Sequence, residues 1–536
     1  MIELKDWKEF FPYAEPRAEQ IEAINFILNT FDSGKRFAIA DLGTGVGKSA
    51  IGVTVARYLT SKTLVDGGAW FLTTQKILQE QYINDFGQQG QMKSIKSSNN
   101  YQCKQYRTLT CAEGQQMVKV APKNSQFWTT CVCNCTYKKA KEEFLKSSES
   151  ITNFSYAMIE ANYHGGIKRR KLLVVDESHN LSSELGRIVE ILISSRMTAQ
   201  VNLDWPAVTT HHQAVKWIQT VYLPKCKEEL EELTTQVEEY KSLTTAVKEY
   251  AELCKRANNM QSHVDKLTTF LQYENEDNWL FEIFPEEENY AKLTFRPVDI
   301  APYAEPFLFR LGEKVLLMSA TMINCEKFAE SAGIKPSDYA ALVIPSPFPE
   351  KNRPVYTFSA GNMTMDHIDK SLPNVVEVLS EILNEHKKEK GIVHATSYKI
   401  ANYIKKNLKN KRLIFHEASD REDALEKHLT SKEPTVLVSP SMTEGVDLKD
   451  DLSRFQVIMK VPYPSLGDKL VRKRMARWSW WYPLQVVKSI VQAVGRSIRS
   501  EKDYAVTYIL DSDWQNFYRK HKHLFPEYFR KVVQDK

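Results

Sequence analysis

Three groups of residues in this 536-residue chain have the types and spacings that do chemistry. The first is Phe37-Ala-Ile-Ala-Asp-Leu-Gly-Thr-Gly-Val-Gly-Lys-Ser-Ala50, an apolar run, a glycine-rich turn and the start of a helical pattern. Gly43, Gly45 and Gly47, with Thr44 between them, let consecutive backbone N–H groups turn toward phosphate oxygens, and the helix that follows adds the positive end of its dipole. Lys48 is then placed to reach β- and γ-phosphates and Ser49 to ligate Mg²⁺, which makes ATP the expected cofactor. Leu42 departs from the regular pattern, which has Gly or Ala there; the three glycines keep the turn permissive. The second group is Leu172-Leu-Val-Val-Asp-Glu-Ser-His179, an apolar strand with two acids at its carboxyl end. That edge of an open α/β sheet is where ligands sit. Asp176 is the candidate Mg²⁺ ligand and Glu177 the group that orients and deprotonates an attacking water. His179, two residues on, can couple the site to a neighbouring domain. The third group is five cysteines between Cys103 and Cys135, out of eight in the chain. In a reducing compartment such clustering points to a metal more than to disulfides.

Elements that could hold these groups recur along the chain. Short apolar runs stand at 37–40, 70–72, 172–175, 315–318, 392–393, 413–415, 436–438, 457–459 and 505–510, each followed by a polar loop and a helical pattern. Runs of that length read as buried parallel strands, and their grouping predicts two α/β domains in tandem. Two stretches break the rhythm. Residues 99–145 are polar and cysteine-rich with no obvious strand. Residues 187–290 are charged and helical, with an apolar stripe from Leu230 to Leu253 that predicts one long helix, an interruption at Asn258-Asn259, and a second helix over Val264–Leu271. Hydrophobic content of 42% and charged content of 26% are those of a soluble globular protein, and a net charge of +5 permits a basic groove without requiring one. The first residues lack a signal-peptide core and no run approaches the ~20 apolar residues of a membrane span, so a cytoplasmic protein with no membrane partner is expected.

Asp-Glu-Ser-His is a variant of the Asp-Glu-Ala-His box, and the chain resembles a superfamily 2 helicase from that point on. Phe11-Pro-Tyr with Arg17 and Gln20 resembles the adenine-reading Q-motif, Thr73-Thr-Gln motif Ia, Ser319-Ala-Thr motif III and Gly391-Ile-Val-His-Ala-Thr-Ser motif IV. Thr443-Glu-Gly-Val-Asp447 resembles motif V and Gln492-Ala-Val-Gly-Arg-Ser-Ile-Arg499 motif VI. The resemblance implies two RecA-like parallel-sheet domains, with Asp447 at the nucleotide and Gln492, Arg496 and Arg499 in catalysis. Arg496 and Arg499, three apart on a helix, are permanently charged planar donors that a second domain can bring to the γ-phosphoryl group.

Within that superfamily the chain resembles the XPD/DinG (Rad3-like) branch, in the form of a compact bacterial, archaeal or phage member. The cysteines fall where that branch carries a 4Fe–4S cluster, and the helical stretch falls where it carries an arch. Asn99-Asn-Tyr-Gln-Cys103 and Cys135-Thr-Tyr-Lys-Lys-Ala resemble the flanks of the cluster segment. Cys103, Cys111, Cys131 and Cys135 are the expected ligands, with Cys133 the alternate to Cys131, because a one-residue spacing from Cys133 to Cys135 is tight for two corners of one cluster. Four thiolates also suit zinc, which stays open. The implied division is first helicase domain over 1–98, 146–186 and 292–326, cluster insertion 99–145, arch insertion 187–291, and second helicase domain 327–536.

The resemblance implies an ATP-dependent helicase moving 5′→3′ on single-stranded DNA, acting on forked or tailed duplexes in repair, recombination or replication, as a monomer; a single-strand-binding protein is a candidate partner. Tyr463 and Arg472, in a segment both basic and aromatic, are the candidate DNA contacts. Two other readings compete: a DNA-binding clamp whose ATPase is regulatory, and an RNA helicase of the Asp-Glu-Ala-His type. The second fits the cysteines and arch poorly. A fused nuclease is not expected, since the first motif starts near Phe11 and the last ends near residue 499.

Overall fold

The computed structural model describes residues 6–61, 68–74, 76–89, 92–107, 109–118, 123, 125–240, 247–285, 290–440, 448, 450–495, 498 and 503–535. All nine apolar runs are strands, and they fall in two seven-stranded, wholly parallel sheets. The first is ordered 339–344, 37–42, 312–319, 170–175, 69–73, 149–153, 92–94. The second is ordered 413–415, 436–439, 391–394, 455–458, 506–511, 355–361, 533–535. Central strands such as Phe37–Leu42 and Val436–Ser439 are buried at every residue, as expected of strands covered by helices on both faces. The strand Tyr339–Ile344 pairs with Phe37–Leu42, so the first parallel unit extends past the expected boundary at 326. Its pattern is only half-buried, as befits an edge strand, and so it lacks the continuous apolar signature of the others.

The stretch 187–291 is not wholly helical. Ile191–Ser194, Lys292–Pro297 and Trp279–Phe284 form a small antiparallel sheet around an aromatic cluster that includes Phe270, Trp279, Phe281 and Phe295. Two helices, Leu223–Tyr240 and Val247–Tyr273, rise from it. The pairings Tyr222–His263 and Arg256–Glu229 show them to be antiparallel. The expected break at Asn258-Asn259 does not occur: the second helix runs through both. Asparagine disfavours a helix by well under ~1 kcal/mol, less than the packing of Cys254, Val264 and Leu267 stabilises it. Among the described residues no helix is long and apolar enough to cross a membrane.

Candidate nucleotide site and cysteine segment

The glycine-rich turn lies where the strand Phe37–Leu42 hands over to the helix Lys48–Ser61. Gly45 and Gly47 have φ of +94° and +88°, the left-handed region that a side chain at either would strain. Leu42 is fully buried in the core between sheet and helix, so the departure from the regular pattern lies on the strand side and leaves the cradle itself unaltered. Arg17 donates from Nη2 to the Val46 carbonyl at 2.9 Å, and Gln20 accepts the Arg17 backbone N–H at 2.9 Å while its amide lies over Gly47. Arg17 and Gln20 thus touch the turn directly. A strap after the strand Tyr339–Ile344 closes the other side, with the Ser346 backbone against Gly43 and the Phe348 ring against Gly45.

Asp176 ends the strand Arg170–Val175 and is buried. Burial, with the neighbouring Glu177 charge, pushes its carboxyl up to about 6, while Lys48 and a hydrogen bond from the Tyr82 hydroxyl (2.9 Å) pull it back. Tyr82 is itself held neutral by burial and stands beside Ser49. Asp41, the penultimate residue of the strand before the turn, is a second buried carboxyl raised to about 6 by burial. It accepts the backbone N–H groups of Met322 and Ile323, and Lys48 draws it down in part. Sequence reasoning missed both. Asp41 carried the same signal as Asp176, an acid at the carboxyl end of an apolar run; Tyr82, one aromatic in an ordinary helix, carried none.

Glu177, in the left-handed region at φ +52°, sits 3.2 Å from His179 Nδ1. His179 Nδ1 also lies 2.7 Å from the Ser319 hydroxyl, and its Nε2 lies 2.7 Å from the Gln492 amide nitrogen. An amide N–H can only donate, so Nε2 accepts and the imidazole proton sits on Nδ1, facing Ser319 and Glu177. Gln492 donates a second bond to Thr321 at 3.2 Å, and Lys488, one turn earlier on the helix Trp481–Val494, donates to the His179 carbonyl at 2.8 Å. The two acids, the Ser-Ala-Thr loop and the second sheet's helix thereby form one hydrogen-bonded unit. Gly495, at the end of that helix, faces the Thr44 hydroxyl of the glycine-rich turn. Arg496, Arg499 and the motif V segment with Asp447 lie outside the described residues.

Arg472 is exposed on the helix Lys469–Arg477. Tyr463 is not an open platform: its hydroxyl donates to Asp513 at 2.6 Å, and its ring stacks on Tyr482 and meets Phe517 edge-on. The same helix docks on the first domain. Arg474 donates to the Val298 and Pro297 carbonyls, and Arg296 pairs with both Asp468 and Glu282.

Cys103, Cys111, Cys131 and Cys135 are buried and line one cavity of about 10 Å³; Cys133 is exposed and faces away. The helix Gln126–Cys133 turns Cys131 inward, two residues and about 200° from Cys133. Cys111 and Cys135 approach to 3.1 Å between sulfurs, and burial pushes Cys111 up to about 12 and Cys131 to about 11. These are packed thiols, and among the described residues no three metal-ligating side chains stand in ligating geometry. The donor set fits a thiolate-bound metal centre.

Residues 379–532 match the helicase C-terminal domain family, and residues 13–219 match the family of the res subunit of type III restriction enzymes. The ATP-dependent DNA helicase CHL1 of Kluyveromyces lactis is 30% identical over 150 residues, 23% of this chain and 18% of that one. A probable ATP-dependent helicase of Methanocaldococcus jannaschii is 25% identical over 229 residues, 37% of this chain and 35% of that one. The chain thus spans well under half the length of these curated relatives. A solved XPD helicase superposes over 98% of this chain and 100% of its own with a TM-score of 0.64 at 16% identity, and an Xpd of S. tokodaii with 0.57 at 14%. The two parallel-sheet domains have the fold of an XPD helicase.

Proposed function

We propose that this chain is an ATP-driven DNA helicase of superfamily 2, of the XPD/Rad3-like iron–sulfur branch, moving 5′→3′ on single-stranded DNA. The observation that carries the reading is the bridge Glu177–His179–Gln492. It joins the acids beside the glycine-rich turn to a helix of the second sheet. A hydrolytic site completed only across a domain interface can convert turnover into relative domain motion.

In this reading the backbone of the glycine-rich turn and Lys48 hold the phosphates, with Arg17 and Gln20 bracing the turn. Ser49 and Asp176 would hold Mg²⁺, which supplies positive charge at the β- and γ-phosphates. Glu177 takes the proton of the attacking water, oriented by His179 Nδ1 3.2 Å away. Arg496 and Arg499, in the motif that continues past Gly495, would supply charge to the transition state from the second domain, and Asp447 would bind the nucleotide. Arg472 contacts the DNA backbone; Tyr463 serves by packing rather than by stacking on a base. Cys103, Cys111, Cys131 and Cys135 would hold a 4Fe–4S cluster, with zinc the alternative, and the centre would cross-link residues 99–145. The first helicase domain then comprises 1–98, 146–186 and 292–344, with the helical pair of 187–291 as an arch.

Lys48→Ala and Glu177→Gln test the site. Both should abolish DNA-stimulated ATP hydrolysis, and Glu177→Gln should still bind nucleotide, since it removes the base and leaves the cradle. Normal turnover in either variant rules the site out. Strand separation of a 5′-tailed duplex by the wild-type chain, absent on a 3′-tailed one, tests the polarity.

A further inference from the structure

The loop after Ser319 contains an unusual backbone. Ile323 has φ of +67°, and the Asn324 N–H bonds back to the Met322 carbonyl at 2.8 Å, which closes a three-residue γ-turn on a β-branched residue. That turn is rare and strained, and for isoleucine it costs on the order of 1–3 kcal/mol unless the surroundings impose it. Two neighbours impose it. On one side the two oxygens of Asp41 accept the consecutive N–H groups of Met322 (3.2 Å) and Ile323 (3.1 Å), an arrangement that fixes both peptide planes. On the other, the Ile323 side chain packs against the second domain's apolar cluster, which contains Val487, Ile490 and Val491 of the helix Trp481–Val494. Among the described, partly buried hydrophobic residues packed on that cluster, Ile323 alone comes from the first domain. The same helix presents Gln492 to His179 and Lys488 to the His179 carbonyl.

We propose that Asp41 is a positioning residue for hydrolysis: it holds the strained turn at Ile323 so that this side chain seats in the second domain and sets the helix bearing Gln492 over the site. Asp41 stands two residues before Gly43 on a buried strand, so its carboxylate is fixed relative to the phosphate cradle. The seat at Ile323 therefore reports the position of the cradle to the second domain. The inference rests on the ATPase reading of the site.

The test compares Asp41→Asn, Ile323→Gly and the double variant by steady-state ATPase with saturating single-stranded oligonucleotide. An asparagine offers one acceptor and turns its NH₂ toward the other N–H, so Asp41→Asn should lower kcat about tenfold. The KM for ATP should stay within about twofold, because the cradle is untouched. Ile323→Gly relieves the strain but removes the seat, and should lower kcat by a similar factor without altering Asp41. The double variant should be no slower than the slower single one, since both act through one contact. Losses that multiply in the double variant, a loss confined to KM, or an Ile323→Gly chain with wild-type kcat would each overturn the proposal. Should Asp41→Asn fail to fold, Ile323→Gly alone decides it by its kcat. A wild-type chain that hydrolyses no ATP instead overturns the reading of the site, and this inference with it.

Discussion

Truncating Gln492 isolates one of the contacts between the two domains. Gln492 is buried, about 8% exposed, and its amide donates to two acceptors of the first domain, His179 Nε2 at 2.7 Å and Thr321 Oγ1 at 3.2 Å. Gln492→Ala takes this donor from both acceptors only when the domains are docked; apart, water satisfies them. A buried acceptor left without its donor costs about 1–3 kcal/mol. At 1.36 kcal/mol per factor of ten, the docked and hydrolytically competent state loses population by about five- to 160-fold. Turnover should fall by that factor. The KM for ATP should move by less than about threefold, because Lys48 and the glycine-rich turn belong to the first domain alone. Phosphate release at saturating ATP and oligonucleotide reads both quantities. Combining the change with His179→Ala should add little to the more damaging single change, since one bridge cannot be lost twice. A kcat within twofold of wild type, or losses that multiply in the double variant, would refute the bridge as the completing contact.

Arg496→Ala or Arg499→Ala should keep ATP affinity within a few-fold while turnover collapses by about 10³-fold or more, measured by ATPase beside nucleotide binding; an affinity loss with turnover intact at saturation removes both from the reaction. Protein purified without oxygen should be brown with about four irons per chain. Cys131→Ser should lose the metal, and Cys133→Ser should keep it because that thiol faces away; elemental analysis and the visible spectrum decide, and stoichiometric zinc in colourless protein selects the alternative. His263, half-buried between the helices Leu223–Tyr240 and Val247–Tyr273 where it meets the Tyr222 hydroxyl, has its pKa lowered to about 4 by desolvation and by Lys266. A lowered folded-state value means the neutral form is stabilised, so the contribution is complete above about pH 6.5 and lost as pH falls through 4, worth about 3 kcal/mol. The protection factors of the two helices, with the intrinsic pH dependence of exchange divided out, should fall between pH 7 and pH 5 in wild type and less so in His263→Gln; an equal fall in both would dismiss the histidine.

Features that live on contiguous sequence were legible without a structure. The turn between the strand Phe37–Leu42 and the helix Lys48–Ser61 is built from adjacent residues, so its glycines, Lys48 and Ser49 had to stand together. A doubly covered parallel strand is apolar at every residue, which marked nine strands and the two-sheet fold. Where burial is one-sided the signal faded: Tyr339–Ile344 at the sheet edge and the small antiparallel sheet near 280–297 were not visible beneath a charged, helix-like composition. The run Asn258-Asn259 misled because local propensity was weighed without the packing of the flanking turns.

Tertiary structure alone decided the rest. Cys131 and Cys133 differ by which side of one helical turn meets Cys103 and Cys135, a fact set by packing. Tyr463 is claimed by Asp513 and Tyr482, which are 50 and 19 residues away. Asp41 finds its partners at Met322 and Ile323, and His179 finds Gln492, across about three hundred residues of chain. Periodicity reports the environment each residue needs, because burial is a property of single positions. Which residues meet is a property of pairs, and the parallel sheets set it by bringing the carboxyl ends of distant strands to one edge.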